Sequence, residues 1–197
     1  TYHEFEKLRD QFESEKWFSG RNLLLEDLAD TLKFNSINCK EAITNIKSYQ
    51  PDLVIVFGTG VIKKDFIDAC PGLILNLHGG DPESYRGLDS HLWAIYHKDY
   101  EKIITTIHLL DDKLDNGAII LKGKIEIDNN TSLISLRSKN TELCIKLAQA
   151  VIDMFSRNKS IISSPQLKKG RYYSAMPSDL KSICLKNFEK YTKSLRL

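Results

Sequence analysis

The fold is decided by Leu53-Val54-Ile55-Val56-Phe57, which runs into the turn Gly58-Thr59-Gly60, and by a second run, Leu73-Ile74-Leu75-Asn76-Leu77. Continuous apolar runs of strand length, rich in β-branched residues, are typical of strands covered on both faces, as in a parallel sheet between helices. Helical patterns flank both runs, and residues 103–110 and 118–127 indicate a later antiparallel pair. The sequence therefore predicts an α/β fold with a mixed sheet.

Helical patterns account for much of the remaining chain. Asn38, with Glu41 three residues later, predicts a capped helix start that leads to Tyr49. Further helices are expected at residues 5–18, 63–69, 88–96, 131–155 and 178–194, whereas the tail from Ser163 to the last helix is expected to be irregular.

Composition sets limits on the class of protein. The 197 residues carry a formal net charge of +2, with 42% hydrophobic and 27% charged residues. These values are typical of a globular chain, and a balanced charge gives no reason to expect a nucleic-acid or membrane partner. The four cysteines form no CxxC pair, so free thiols in the reducing cytoplasm are expected.

Polar side chains follow the two apolar runs at the point where each strand ends. Asn76 and His78 are two residues apart, so an extended backbone points both to the same side. Ligands of open α/β sheets bind at the carboxyl ends of strands, where Thr59 and the acidic loop that contains Asp115 are also expected. An amide, an imidazole and a carboxylate together suit acyl transfer to an amine, because they hold an oxyanion, move a proton and orient the imidazole.

Each of these residues also has a structural interpretation. Asn76 could cap a turn, Asp115 is a good turn residue before Asn116-Gly117, and a histidine after a strand is often structural. Metal-dependent hydrolysis by His78, His108 and Asp111 is an alternative, although their spacing matches no familiar metal motif.

Three segments in order carry a resemblance to a known family. They are Asn-x-His-Gly-Gly-Asp-Pro-Glu-x-Tyr-Arg-Gly at residues 76–87, Thr-x-His at 106–108 and Leu-Asp-Asn-Gly at 114–117. Together they resemble the formyltransferases that use 10-formyltetrahydrofolate, which act on glycinamide ribonucleotide, methionyl-tRNA or nucleotide-linked amino sugars. The resemblance implies a Rossmann-like formyltransferase fold with a mixed, mostly parallel sheet, in which the opening β-α-β portion is expected to be missing.

The loop after His78 is most similar to that of the sugar N-formyltransferases, and so is the segment at residues 170–177. The resemblance therefore implies formyl transfer to the amine of a nucleotide-linked amino dideoxysugar, a precursor of surface glycans, in the cytoplasm. A purine-pathway amine as acceptor and an inactive binding module are the alternatives. A homodimer is a further expectation, and no metal is expected.

The same resemblance assigns roles to individual residues. It implies a catalytic domain at residues 1–160 and an extension at residues 161–197. Asn76, His78 and Asp115 are expected to be catalytic. The formyl donor is expected to contact Phe57, Gly58, Thr59, Gly60, Val61 and Asp111, and the acceptor is expected to contact Gly79, Glu83, Tyr85 and Arg86.

Overall fold

A computed structural model describes residues 4–195, so the outermost residues of the two predicted domains, 1–3 and 196–197, lie outside the described part. The helices are α1 (Glu4–Phe18), α2 (Lys40–Tyr49), α3 (Lys64–Ala69), α4 (Ser90–Tyr96), α5 (Leu133–Asn158) and α6 (Ser178–Ser194). The strands are β1 (Leu53–Phe57), β2 (Leu73–His78), β3 (Tyr85–Gly87), β4 (Ile104–Leu109), β5 (Ile119–Lys124) and β6 (Arg171–Tyr173). Within residues 4–195, no helix combines the length and the apolarity needed to cross a membrane.

The main sheet has the order β1-β2-β4-β5. The two apolar runs pair in parallel, with Leu53 opposite Leu73, whereas β4 pairs antiparallel with both β2 and β5. This arrangement confirms the predicted α/β class and the mixed sheet. It also brings the carboxyl ends of β1 and β2 to the same edge.

A second, two-stranded sheet joins β3 to β6 in parallel, although the sequence predicted irregular structure before the last helix. Gly170 N–H donates to Pro82 O, and Arg171 N–H donates to Ser84 O. Strands of three residues are too short to show an apolar period, so only the folded chain reveals them. The pairing fixes the loop that follows β2 against the tail.

The start of α2 differs from the prediction by one residue. Cys39 is the N-cap, and its sulfur accepts a hydrogen bond from Ala42 N–H. The Asn38 side chain instead donates to Val61 O and accepts from Lys63 N–H, at 2.8 and 2.7 Å. Asn38 therefore braces the loop after β1, since an asparagine side chain can bind any nearby backbone group.

The longest helix, α5, packs on the face of β4 and β5, and α1 packs on α5 in turn. Its start is fixed by Ser132 and Ser135, whose side chains each bond to the other's backbone N–H. Buried Cys144, Leu147 and Val151 press against Leu75 and Ile107 of the sheet. This packing places the first two turns of α5 beside the carboxyl end of β2.

Candidate active site

A cavity of about 560 Å³ opens at the carboxyl ends of β1 and β2. Its walls are the loop after β1, the end of β2, the start of α4, the loop before β5 and one face each of α1 and α5. The volume is in the range of small-ligand sites. The parallel pairing of the two strands therefore places a cavity at the edge where the sequence predicted a ligand site.

Asn76 and His78 both line the cavity, because residues two apart in β2 point to the same side. His78 is 7% exposed, and its Nε2 lies 3.1 Å from Tyr85 O. Since a carbonyl oxygen only accepts, Nε2 carries the proton of the neutral imidazole. The lone pair of His78 is therefore on Nδ1, which faces Asp115.

Asp115 reaches the same point from the loop between β4 and β5. Its backbone is left-handed, with φ of 47°, and its Oδ2 accepts from Gly87 N–H at 2.8 Å. Its Oδ1 lies 3.4 Å from Asn76 Nδ2 and 3.6 Å from His78 Nδ1. The structure thus brings together the amide, the imidazole and the carboxylate that the sequence singled out.

His108 is the fourth member of this cluster. It is 1% exposed and lies directly opposite Asn76 in the antiparallel ladder. Its Nδ1 donates to Leu109 O at 2.7 Å, so Nε2 is free to accept from Asn76 Nδ2 at 3.1 Å. The sequence suggested His108 only as a possible metal ligand, because its register against Asn76 cannot be read from the sequence.

The pKa values of His78 and Asp115, the two titrating groups of the cluster, are both lowered. Burial lowers the pKa of His78, although the charge of Asp115 raises it. Burial raises the pKa of Asp115, but the polar groups around its carboxylate, among them the Gly87 N–H, outweigh that effect, so its pKa is lowered. A neutral imidazole therefore faces an ionised carboxylate.

The residues predicted to contact a formyl donor all line the cavity. They are Phe57, Gly58, Thr59, Gly60, Val61 and Asp111. Gly58 has φ of 63°, and a Cβ on Gly58 or Gly60 would meet no atom within 4 Å. The backbone of this loop is therefore exposed to the cavity. The Asp111 carboxylate is held by Lys113 N–H and Asn116 Nδ2, at 3.0 and 2.8 Å.

Of the four residues predicted to contact an acceptor, only Gly79 lines the cavity. Glu83 accepts from Lys122 Nζ, and Tyr85 is buried and donates from its hydroxyl to Asp99. Arg86 donates to Gly170 O and Leu114 O. These three side chains point into loop contacts because the β3–β6 pairing, which the sequence did not predict, turns this segment toward the tail.

The far wall of the cavity comes from residues that sequence reasoning did not select. Phe5 and Arg9 project from α1, while Leu133, Leu136, Arg137 and Asn140 project from α5. Spacings of three and four place each set on one helical face. That periodicity was visible in the sequence, but the packing of α1 on α5 was not.

The alternative of metal-dependent hydrolysis finds no geometric support. Among residues 4–195, no group of three or more His, Cys, Asp or Glu side chains has an arrangement that could hold a metal ion.

Comparison with known proteins agrees with this geometry. A family model described as formyl transferase matches residues 10–152. A methionyl-tRNA formyltransferase of Pelobacter propionicus is 27% identical over 134 residues, which are 68% of this chain and 42% of that protein. The phosphoribosylglycinamide formyltransferase of Escherichia coli is 33% identical over 89 residues, covering 45% of this chain and 42% of that protein. The chain thus spans less than half the length of both curated relatives.

A solved structure shows the same fold over nearly the whole chain. It is the formyltransferase PseJ of Anoxybacillus kamchatkensis, in complex with UDP-4,6-dideoxy-4-formamido-L-AltNAc and tetrahydrofolate. Identity is 24% and the TM-score is 0.55, with 97% of this chain and 87% of that chain covered. The family model spans well over half of the 197 residues, and on that basis the chain belongs to the formyl transferase family.

Proposed function

We propose that this protein transfers a formyl group from 10-formyltetrahydrofolate to the amine of a nucleotide-linked amino dideoxysugar. The observation that carries the proposal is the cluster at the cavity wall, where Asn76 and His78 lie within 3.4 and 3.6 Å of the Asp115 carboxylate. Formyl transfer to an amine needs a group that holds the carbonyl oxygen and a group that takes the proton lost by the amine and passes it to the donor nitrogen, whose bond to the formyl carbon breaks.

The donor fits the loop after β1 in its shape and its chemistry. Gly58 and Gly60 leave the backbone open, and the apolar side chains of Phe57, Val61 and Leu114 are 52%, 70% and 43% exposed. Backbone N–H and C=O groups beside apolar walls suit a flat, polar-edged ring system such as a pterin. When bound there, 10-formyltetrahydrofolate supplies the formyl group.

His78 is the proton acceptor in this proposal. Its Nε2–H is held by Tyr85 O, so Nδ1 is the nitrogen with a free lone pair. A proton taken at Nδ1 creates a cation beside the ionised Asp115, and the carboxylate stabilises that cation. The 3.6 Å gap between Nδ1 and Oδ1 is wider than a hydrogen bond, so the lone pair of Nδ1 is available for the proton of the substrate amine.

Asn76 supplies the group that holds the carbonyl oxygen. Its Nδ2 is fixed at 3.1 Å from His108 Nε2 and 3.4 Å from Asp115 Oδ1, and the latter bond is long enough to be exchanged for a substrate contact. An amide N–H placed in advance stabilises the negative charge that develops on the oxygen during attack. His108, fixed by Leu109 O, keeps the amide in this orientation.

The acceptor class is supported by two observations. In the structural comparison this chain covers 87% of the PseJ chain. In the sequence comparison it covers 42% of the methionyl-tRNA formyltransferase. In addition, the tail segment at residues 170–177, which resembles the sugar enzymes, enters the structure as β6 beside the cavity, where Tyr172 lines the mouth. The second candidate acceptor is a small phosphorylated amine, favoured by the 33% identity to the phosphoribosylglycinamide enzyme.

The test is an acceptor panel with 10-formyltetrahydrofolate as donor. UDP- and dTDP-linked 3-amino and 4-amino dideoxysugars and glycinamide ribonucleotide are each incubated with the protein, and mass spectrometry detects the formamide. We expect a formamide from a sugar nucleotide. We also expect Asn76→Ala and His78→Ala to lower kcat by roughly 100-fold or more, as for other oxyanion donors and general bases.

His97→Gln is the matched control, because this exposed imidazole lies outside the cavity and stacks on Trp93. Its kcat should equal that of the wild type. Wild-type turnover in both Asn76→Ala and His78→Ala would rule out the mechanism. Formylation of glycinamide ribonucleotide and of no sugar nucleotide would show that the acceptor is the phosphorylated amine.

A further inference from the structure

The two ends of the cavity carry opposite net charges. The loop end carries Asp111, Asp112 and Lys113, a net negative charge, whereas the helix end presents the guanidinium groups of Arg9 and Arg137 beside Asp89, a net positive charge. Both arginines therefore face the same cavity as the Asn76, His78 and Asp115 cluster. A basic end and an acidic end in one cavity fix the direction in which a ligand with one anionic end lies.

Arg9 has few partners of its own. Its side chain is 19% exposed and lies 5.8 Å from the centroid of the Phe5 ring. Within residues 4–195, the recorded hydrogen bonds of its guanidinium both reach Asp10 Oδ1 at 3.4 Å, near the limit for such a bond. A half-buried guanidinium with five N–H donors therefore keeps most of them for a ligand.

Arg137 is bound by two carboxylates that lie outside the cavity lining. Its Nε donates to Glu13 Oε1 at 2.7 Å, and its Nη2 donates to Asp10 Oδ1 at 2.6 Å. Asp10 and Glu13 are absent from the cavity lining, and the described part of the chain records no acceptor for Nη1. The two carboxylates thus position Arg137 and leave one of its nitrogens to the cavity.

The two guanidinium groups also repel one another. Burial lowers the pKa of Arg9, and the charge of Arg137 lowers it further, although Glu13, Glu6 and Asp89 oppose this. An anion that bridges both groups removes that repulsion and completes their hydrogen bonds. Like charges held together at a cavity wall are a recurrent feature of anion-binding sites.

We propose that Arg9 and Arg137 bind the phosphate groups of the acceptor, an assignment that rests on the proposed function. The order of residues along the wall supports it. Asn140 lies beside Gly79, which follows His78, and Arg137 is three residues before Asn140 in α5, a rise of about 4.5 Å along the helix axis. A sugar ring with its amine at His78 would therefore extend its linked phosphates toward the two arginines.

Arg86, which was expected to contact the acceptor, is held within the loops. Arg86 donates from Nε to Gly170 O and from Nη1 to Leu114 O, at 2.8 and 3.1 Å, and lies outside the cavity lining. The proposal therefore places the phosphate contacts on the arginines of the helix wall.

Binding measurements with separate probes test the assignment. Isothermal titration calorimetry with UDP, with dTDP and with inorganic pyrophosphate measures the phosphate subsite, while tetrahydrofolate measures the donor subsite. We expect Arg9→Gln to weaken the tighter of the two nucleotides and pyrophosphate at least 10-fold, because a charge-assisted bond is lost. Tetrahydrofolate affinity should stay within 2-fold of the wild type, and Arg9→Lys should recover part of the loss.

Arg157→Gln is the matched control, since this exposed arginine lies far along α5 from the cavity. It should leave all four affinities unchanged. Arg137→Gln is expected to behave as Arg9→Gln does, with thermal unfolding measured in parallel because it also releases Asp10 and Glu13.

Three results would overturn the assignment. The first is a wild-type protein that binds none of UDP, dTDP and pyrophosphate. The second is an Arg9→Gln variant that binds them as tightly as the wild type does. The third is a loss of affinity for tetrahydrofolate alone, which would show that the arginines bind the carboxylates of the donor. Failure of the proposed function is a separate outcome. Absence of any formamide alongside an Arg9-dependent affinity for UDP would leave the phosphate subsite in place and remove only the reaction.

Discussion

At the scale of single residues, the chemistry depends on one imidazole that is neutral and one carboxylate that is ionised. His78 and Asp115 have similar exposure, 7% each, yet their surroundings differ. Asp115 accepts from the Gly87 N–H and lies near two imidazoles, whereas His78 has a carbonyl on one side and the carboxylate on the other. Burial alone would neutralise both groups, so the hydrogen bonds decide which of them carries charge.

The titration of His78 is the first prediction at this scale. Burial lowers its pKa, so its midpoint should lie below that of histidine in an unstructured peptide. Asp115→Asn should lower the midpoint further, because the carboxylate favours the charged imidazole. NMR titration of the His78 ring carbons measures both values. The acid limb of kcat/KM should follow the same midpoint, since the neutral form accepts the proton, and a wild-type midpoint above the peptide value would contradict this account.

The two glycines after His78 give a matched pair for the second prediction. A Cβ on Gly80 would lie 2.6 Å from His78 Nε2 and from Ser90 Cβ, whereas a Cβ on Gly79 would approach no atom closer than 3.5 Å. We expect Gly80→Ala to cost about 1–3 kcal/mol of unfolding free energy and to shift the His78 NMR signals. Gly79→Ala should cost less than about 0.5 kcal/mol. Urea unfolding measures both free energies. A loss for Gly80→Ala as small as that for Gly79→Ala would show that the structure accommodates the added methyl group.

At the scale of secondary-structure elements, the sequence predicted what depends on local pattern and missed what depends on register. The apolar runs gave β1 and β2 correctly, and α6 begins and ends at the predicted residues. The β3–β6 pairing and the contact between Asn76 and His108 were missed, because both join segments far apart in the chain. Glu83, Tyr85 and Arg86 lie outside the cavity lining, which the sequence also did not reveal.

One buried ion pair network ties three of these elements together and yields the third prediction. Asp81, which follows β2 and is 1% exposed, accepts from Lys102 before β4 at 2.9 Å and from Lys122 of β5 at 2.7 Å. Burial raises the pKa of Asp81, but the two lysines outweigh this effect and lower it to about 2. The folded state thus favours the ionised carboxylate, and this contribution to stability is present above the unfolded pKa and lost as pH falls toward 2.

We expect wild-type stability to include about 2 kcal/mol from this source at neutral pH. Asp81→Asn should lose it at pH 7, and the difference from the wild type should shrink as pH falls from about 4 to about 2. Urea unfolding across this pH range measures the difference. Glu101→Gln is the control, because Glu101 is 77% exposed in its pair with Lys124 and should change stability by less than about 0.5 kcal/mol. A difference that is constant with pH would assign the effect of Asp81→Asn to packing.

At the scale of the whole molecule, the described chain leaves apolar surface without cover. In the segment of residues 23–34, Leu24, Leu25, Leu28 and Leu32 are between 56% and 65% exposed. Strand β1 lies at the edge of the main sheet and pairs only with β2 within residues 4–195. Exposed leucines and an open strand edge both favour association with another protein surface.

The final prediction is that this chain self-associates through the leucine segment at residues 23–34. We expect Leu25→Glu with Leu28→Glu to lower the weight-average mass at micromolar concentrations, because each added carboxylate opposes burial of the segment. The melting temperature should change little, since neither side chain belongs to a buried cluster. Sedimentation velocity measures the mass, and Ile162→Glu is the control, because Ile162 is 78% exposed and lies in another part of the chain. Tetrahydrofolate affinity should survive the double substitution, since the cavity lining excludes this segment. A wild type that sediments only as a monomer would rule out self-association, and an unchanged association in the double variant would exclude the leucine segment as its surface.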